Sequence, residues 1–262
     1  MPDSPTDSPI ATVTTSWDDG CPLDVRLAEL LSMYSVAGTF YVPLRPHEQP
    51  PLTVLDLRAI HRSFEIGSHS ITHRDLRYLD DRQLHEEIHG SKAQLQDIVG
   101  TPVRVFAYPM GRNDCRVRRA VRGAGYVGAR GTRELRLTFG GDPWCMATTV
   151  SALPTPSWVR ARRGIRAGNW HGLWLLCRRR RGHSWVDLAC GLFEEVVRHG
   201  GVWHLWGHSW EIEQFGLWND LKTVLRAVSG RPGVRYCANG EVLDGVTGRP
   251  APSRPVVMAE TK

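Results

Sequence analysis

The chain has 262 residues, enough for one large α/β domain or two small ones around a sizeable core. Its hydrophobic share of 41% and charged share of 23% are those of an ordinary globular protein, and no apolar run is long enough to span a bilayer. The net charge of +6 comes almost wholly from arginine and identifies no partner by itself. The six cysteines show no CxxC spacing, which excludes a zinc ribbon or a thioredoxin-type motif and predicts free thiols.

Strands and helices alternate along the chain. Residues 11–16 are rich in β-branched side chains, and residues 80–99 carry an apolar stripe at helical spacing that ends at Gly100. The predicted order is strand 11–16, helix 23–34, strand 38–42, helix 52–62, strand 64–67, helix 80–99, strand 103–108, helix 115–123, strand 126–128, helix 186–199, strand 202–206, helix 217–228 and strand 234–237. The pattern blurs between residues 131 and 182.

This alternation predicts an α/β protein with a parallel sheet or barrel and helices outside it. We expect one catalytic domain over residues 11–248, with an insertion rich in arginine and tryptophan at about 157–182. Residues 1–10 and 249–262 read as a disordered and a flexible tail. In barrels of this kind the chemistry lies at the carboxyl ends of the strands, and four polar clusters fall there.

The first two clusters favour a metal site. Asp18 and Asp19 follow the first strand; their like charges repel, and a bound metal would relieve one carboxylate and leave the other as a base. His69 and His73 follow the third strand and are spaced four apart, a suitable bite for a zinc-type ion. Considered alone, Asp18 and Asp19 are equally typical of a turn, and His69 and His73 of solvent-exposed side chains without a ligand.

The other two clusters favour catalysis. Tyr108, Pro109 and Met110 form a sharp turn after a strand, which can present an N–H to an oxyanion, although an ordinary loop reads the same way. His208 lies at the end of the strand from residue 202, where a general acid is expected. His204 lies within that strand, and we expect it to be packed.

Together the segments SWDDG, HSITH, AYPMG and LWGH resemble, in order and spacing, the TFDDG, HSxxH, RxPxG and LxxH motifs of the polysaccharide deacetylases, the NodB-homology family (carbohydrate esterase family 4). The resemblance spans residues 12–241. It implies an irregular (β/α) barrel with fewer than eight repeats, in a single domain.

The resemblance also implies site roles. Asp18 matches the catalytic base and His208 the catalytic acid, whereas Asp19, His69 and His73 match the metal ligands. The implied cofactor is a divalent metal, with zinc expected and cobalt or nickel as alternatives. The backbone N–H of Met110 matches the oxyanion donor. We expect Tyr108, Pro109, Trp17, Trp206 and Arg112 to line the substrate site.

Three departures from the family pattern stand out. Ala107 replaces the arginine that orients the base, and Arg112 is a nearby candidate for that role. The family's Asp/Trp element is only faintly echoed, at residues 142–144. Gly207 stands where the family often has a leucine lining the acyl pocket, which predicts a wider or differently shaped acyl site.

Residues 160–181 hold two arginine clusters that flank two tryptophans and fit no barrel element. The segment suits a phosphate on the substrate, since guanidinium binds phosphate in a bidentate way. It equally suits contact with an anionic membrane surface, or a solvated insertion with no ligand. Nucleic-acid binding has only the net charge in its favour, and none is expected.

The implied activity is metal-dependent removal of an N-acyl group, with acetyl as the default. Because residues 1–9 do not read as a secretory signal, we expect a cytoplasmic protein acting on an intracellular amino sugar, sugar conjugate or specialised metabolite. Two alternatives stay open: hydrolysis of another C–N bond, such as a cyclic amide or a formamide, and a non-catalytic module that binds a sugar or an anion.

Overall fold

The first strand, β1 (Ala11–Asp18), is buried along nearly its whole length and lies in the middle of an eight-stranded sheet. The computed structural model describes residues 11–46, 49–178 and 184–248. The other strands are β2 (Thr39–Val42), β3 (Glu65–Ser68), β4 (Val105–Ala107), β5 (Gly128–Arg130), β6 (Val150–Ser151), β7 (Gly201–His208) and β8 (Val234–Tyr236). The predicted tails lie outside the described residues.

All strand pairings are parallel. The strand order is β5-β4-β3-β2-β1-β7-β6, and β8 pairs with the amino-terminal end of β1. The carboxyl ends of all these strands therefore lie along the same edge of the sheet. The sheet curls into a half-barrel with helices around it, which confirms the predicted (β/α) class in one domain.

The register between β1 and β7 brings two of the predicted site residues together. These strands pair from Ala11 opposite Gly201 to Asp18 opposite His208. Asp18 and His208 are thus the last residues of adjacent strands, although they are far apart in the sequence.

Helices cover the outside of the sheet. They are α1 (Asp24–Met33), α2 (Val54–His61), α3 (Asp81–His85), α4 (Ser91–Val99), α5 (Cys115–Gly123), α6 (Ser157–Arg166), α7 (Trp170–Arg178), α8 (Trp185–His199), α9 (Ser209–Gln214), α10 (Trp218–Val228) and α11 (Asn239–Thr247). Leucine, valine and phenylalanine side chains from these helices and from the strands form the main core. None of the helices within the described ranges is both long and apolar enough to cross a lipid bilayer.

The predicted helix 80–99 is helical throughout but not uniform. Its middle, Glu86–Gly90, is a π-helical segment between α3 and α4. Single π turns inside α-helices often accompany functional sites, and this one contacts the loop that carries the histidine pair.

The blurred region between residues 131 and 182 contains the short strand β6 and the helices α6 and α7. The sequence pattern also missed α9 and α11. All six cysteines are free thiols, as predicted.

Candidate active site

A pocket of about 520 Å³ opens at the carboxyl ends of the strands. Four of the five residues predicted to carry the chemistry directly end or follow β1, β3 or β7 there, and His73 follows four residues after His69. The residues lining the pocket are Asp18, Asp19, His69, His73, Met110, Gly111, Thr132, Arg133, Glu134, Leu135, Arg160, Arg163, Gly164, Ala167, Trp206, His208 and Trp210.

Asp18 is buried and accepts a hydrogen bond from Arg130, the last residue of β5. Burial alone would raise the pKa of Asp18, but the positive charge of Arg130 outweighs it, with smaller contributions from His69 and His208, so the pKa lies below its usual value. The carboxyl is therefore held as a carboxylate. Its second oxygen, Oδ1, is buried without a hydrogen-bond partner among the described residues.

Arg130 was not among the site residues predicted from the sequence. Its guanidinium is fully buried between the rings of Tyr41 and Trp206, 5.3 and 5.2 Å from their centroids. Arg112, the candidate from the sequence, instead pairs with Asp75 at 3.1 Å and is half exposed. The suggestion that Arg112 supports the base is therefore wrong, because its side chain is engaged elsewhere.

Asp19, His69 and His73 form a compact cluster in which one ligand atom from each lies within 4.8 Å of the others. Oδ1 of Asp19 is 3.7 Å from Nε2 of His69 and 3.5 Å from Nε2 of His73. Trp210 donates its indole N–H to the other oxygen of Asp19 at 2.9 Å, which fixes the carboxylate plane. Asp19 and His73 both have a positive φ, as residues at functional sites often do.

His69 is orientated by the backbone of β4. Its Nδ1–H donates to the carbonyl of Ala107 at 2.8 Å, which leaves the lone pair of Nε2 pointing at Asp19. Burial lowers the pKa of His69 to about 4, despite the opposing effect of Asp18, so the ring is neutral, as a metal ligand must be.

The loop between His69 and His73 is held by Glu87 of the π-helical segment. This buried carboxylate accepts backbone N–H groups from Ile71 at 2.8 Å and Thr72 at 2.9 Å, and the Thr72 hydroxyl at 2.5 Å. Three hydrogen bonds donated to one carboxylate fix the spacing of the two imidazoles.

The cluster fits a divalent cation. One carboxylate oxygen and two imidazole nitrogens are the donor types that zinc prefers, and three protein ligands leave room for substrate and water. Oδ1 of Asp19, which faces both imidazoles, is buried without a hydrogen-bond partner in the part of the chain that the structure describes. A cation between these atoms would satisfy it.

His208 faces the cluster from the other side, with Nε2 3.7 Å from Oδ2 of Asp19. Its Nδ1–H donates to Glu211, at the start of α9, at 2.5 Å. Burial would lower the pKa of His208, but the bond to Glu211 and the charges of Asp19 and Asp18 raise it to about 9. The ring is therefore a protonated imidazolium at neutral pH.

His204 is packed, as expected from its place inside the strand. It is buried, contacts the Ser16 hydroxyl through Nε2 at 2.8 Å, and donates from Nδ1 to the carbonyl of Ala147 at 3.0 Å.

Of the three residues in the turn after β4, one lines the pocket and two are buried in the core. Met110 has a φ of 56° and lines the pocket. Tyr108 is buried and donates its hydroxyl to the Trp144 carbonyl, and Pro109 is buried beside it. The expectation that Tyr108 and Pro109 line the substrate site is therefore wrong.

Trp206 lines the pocket, whereas Trp17 does not. Trp17 is fully buried, and a Cβ added at Gly207 would lie 3.2 Å from its ring. The tryptophan thus occupies the space next to Gly207, so at this point the glycine gives a differently shaped site rather than a wider one.

The arginine-rich segment is not uniform either. Arg160 is buried and pairs with Glu134 at 2.7 Å, so its guanidinium is already engaged by a carboxylate of the protein. Phosphate binding by the segment 160–181 stays a prediction. Arg163 and Arg133 reach the pocket rim. Arg179, Arg180 and Arg181 lie outside the described residues.

Comparison with known proteins confirms the resemblance found in the sequence. A family model described as polysaccharide deacetylase matches residues 6–129. None of the curated proteins matches this chain. A polysaccharide deacetylase from Bacillus cereus is 25% identical over 51% of this chain and 45% of its own, with a TM-score of 0.46, so this chain spans less than half of that relative.

Two other solved structures share the fold over most of their length. A Mycobacterium smegmatis protein described as a polysaccharide deacetylase is 16% identical, with 98% of both chains covered and a TM-score of 0.61. A family 4 carbohydrate esterase from Streptomyces lividans, in complex with acetate, is 14% identical, with 86% of this chain and 91% of its own covered and a TM-score of 0.55. At these identities the likeness concerns the fold.

Proposed function

We propose, from the match of residues 6–129 to the polysaccharide deacetylase family, that this protein is a metal-dependent hydrolase that removes an acetyl group from the amide nitrogen of an amino sugar. One observation carries the proposal. A carboxylate and an imidazolium, Asp18 and His208, end adjacent strands on two sides of the Asp19, His69 and His73 cluster.

Asp19, His69 and His73 would hold the metal. When bound there, a divalent ion polarises the amide carbonyl and makes a water molecule more acidic. The neutral state of His69 and the anchoring of Asp19 by Trp210 support this assignment, because both ligands are prepared before the ion arrives.

Asp18 is the general base in this proposal. Arg130 keeps its carboxylate charged and fixes one oxygen, which leaves Oδ1 to take a proton from the attacking water. His208 is the general acid, since its ring carries a proton that Nε2 can donate to the leaving amine. Glu211 holds that ring through Nδ1 and stabilises its charge.

Two further groups suit a sugar amide. Met110 lines the pocket in a left-handed turn, and its backbone N–H is the proposed oxyanion donor. Trp206 and Trp210 present aromatic surface to the pocket, which suits a sugar ring. The cytoplasmic location expected from the sequence stays a prediction.

The test is acetate release from a panel of N-acetylated sugars and their conjugates by protein that has been stripped of metal and reloaded with zinc. Asp18→Asn should keep the metal and lose about 10²–10⁴-fold in kcat, the usual share of a general base. His69→Ala and His73→Ala should lose the metal. Asp81→Asn, at an exposed carboxyl on α3, is the matched control and should leave both unchanged.

Two outcomes would redirect the assignment. Release of ammonia or formate without acetate would favour hydrolysis of another C–N bond, such as that of a cyclic amide or a formamide. Sugar binding without turnover, unaffected by Asp18→Asn, would favour a non-catalytic module.

A further inference from the structure

The helices α6 and α7 form a hairpin that is firmly attached to the barrel. Arg160 pairs with the buried Glu134, and Asn169 donates to the carbonyls of Glu134 and Leu135 at 3.1 and 3.0 Å. Gly164 lies so close to Leu173 that a Cβ there would be 2.9 Å from its side chain. The hairpin is therefore a platform with fixed side-chain directions.

The outer side of this platform is apolar and aromatic. Trp158 is 67%, Ile165 58%, Trp170 71% and Trp174 51% exposed. Trp158 and Ile165 are seven residues apart on α6, and Trp170 and Trp174 are four apart on α7, so each pair forms a stripe along one face of its helix. Exposed tryptophans concentrated in this way usually mark a binding surface.

The same side is positively charged. Arg162 and Arg166 continue the stripe on α6, and Arg178 continues it on α7, with its guanidinium 5.1 Å from the Trp174 ring. From Pro143 to Arg178 the sequence contains no aspartate or glutamate. Glu134, which contacts the hairpin arginines, is buried beneath them.

We propose that this hairpin, defined by the exposed side chains of α6 and α7, docks the protein on an anionic lipid bilayer. Tryptophan rings prefer the headgroup region, and guanidinium groups bind lipid phosphate in a bidentate way. Helices that present both lie in the interface without crossing it. A second copy of this chain is a poor occupant, because two faces of the same positive charge repel each other.

Docking has a consequence for the substrate, and this consequence rests on the proposed function. Arg163, Gly164 and Ala167 of the hairpin also line the rim of the pocket that contains Asp18 and His208. These residues lie on the side of α6 opposite Trp158 and Arg162, so a bilayer on the outer side lies one helix diameter, ~10 Å, from the pocket. The substrate class that fits is an amino sugar carried on a lipid.

The test is co-sedimentation of the full chain with phosphatidylcholine vesicles with and without phosphatidylglycerol. Binding should require phosphatidylglycerol and weaken between ~0.1 M and ~0.5 M salt, because screening shortens over this range. The double variant Arg162→Glu/Arg166→Glu should bind roughly 25-fold more weakly or worse, at about fivefold for each arginine near the surface. Trp158→Ala/Trp170→Ala should lose the part of the binding that resists salt.

Matched controls separate this surface from the rest of the protein. Arg82→Glu/Arg119→Glu on α3 and α5 changes the net charge equally and should stay within about twofold of the parent, since distant charges are screened. Leu55→Ala/Phe215→Ala removes exposed apolar groups elsewhere and should have no effect. Every variant should keep its acetate release from a soluble N-acetyl sugar, because none of these residues lines the pocket.

Several results would overturn the docking surface. The proposal is wrong if the parent protein does not bind the vesicles, or if the hairpin and control variants lose vesicle affinity equally. It is also wrong if the protein binds a short DNA duplex more tightly than vesicles at equal phosphate concentration. The two proposals fail separately. If Asp18→Asn keeps full activity, the proposed catalysis is wrong, and vesicle binding by the parent protein is unaffected by that result. If Asp18→Asn is inactive but the parent protein does not bind vesicles, only the docking proposal is wrong.

Discussion

Arg130 at the end of β5 donates a hydrogen bond to Asp18 at the end of β1, although three strands lie between them in the sheet. Two side chains can meet across that distance only because the sheet curls and its concave side brings the strand ends together. The pair is buried, so neither charge is solvated by water.

Arg130 should therefore be a positioning residue for the base. Arg130→Met should leave a buried, unpaired carboxylate, which costs about 3–5 kcal/mol of unfolding free energy, and should lower kcat. Arg130→Lys keeps the charge and should recover part of both. Unfolding in urea and initial rates of acetate release measure the two effects.

A double variant separates positioning from simple support of the fold. In an Asp18→Asn background, Arg130→Met should cost clearly less stability, because the charge that it leaves unpaired is no longer present. An equal cost in both backgrounds would mean that Arg130 acts only through packing on Tyr41 and Trp206.

The two histidines of β7 should differ most in their effect on catalysis. His208→Ala removes the proposed acid and should lower kcat by about 10²–10⁴-fold, and it also costs stability because it breaks the ion pair with Glu211. His204→Ala leaves the Ser16 hydroxyl and the Ala147 carbonyl without their partner, which costs about 1–3 kcal/mol. Thermal unfolding and kcat, measured on both variants, give the pattern; a larger fall in kcat for His204→Ala would contradict the assigned roles.

Glu87 should control metal affinity without touching the metal. Glu87→Ala frees two backbone N–H groups in the loop between His69 and His73, and loss of such outer support usually lowers metal affinity about 10–100-fold. Zinc titration against a chelating dye measures the affinity. Glu86→Ala, at the exposed neighbouring position, is the control, and an equal effect there would exclude a specific role for Glu87.

Asp24 should make stability depend on pH. It is fully buried, and burial, together with smaller contributions from the charges of Asp19 and Asp18, raises its pKa to about 8, even though Ser209 donates to it at 2.5 Å. In the unfolded chain the same group loses its proton near the ordinary value of about 3.9. Between these values the unfolded state binds fewer protons than the native state, so stability falls as pH rises, by at most ~1.4 kcal/mol per pH unit, and levels off above about pH 8.

Asp24→Asn imitates the neutral acid and should remove this dependence. In urea, the free energy of unfolding of Asp24→Asn should therefore exceed that of the parent by more at about pH 7.5 than at about pH 5. All other titrating groups are common to both proteins and cancel in the comparison. A difference that does not change with pH would show that Asp24 is ionised in the folded protein.

Local sequence patterns predicted the residues that directly follow strands. Asp18, Asp19, His69 and His208 sit at strand ends, and parallel strands bring their carboxyl ends to one side whatever the details of packing. The predicted strand 202–206 also indicated that His204 is packed, because His204 lies inside that strand.

The supporting residues could not be predicted in this way. Arg130 meets Asp18 across 112 residues, and no local pattern marks such a contact. Glu87 was hidden because a π-helical segment changes which side chains face inward, which an apolar stripe does not report. Glu211 lies only three residues after His208, but the sequence pattern missed α9, the helix that directs its side chain back to the histidine.

The side chain of Trp17 fills the space beside Gly207, and this contact restricts which substitutions the two positions can accept during evolution. A Cβ at position 207 would lie 3.2 Å from the Trp17 ring and 3.1 Å from Ala152. The related motifs carry phenylalanine at the first position and often leucine at the second. Leucine arriving first would overpack the core at a cost of about 1–3 kcal/mol, whereas phenylalanine arriving first would leave a void. Descendants of this chain should therefore inherit the tryptophan and the glycine as a unit.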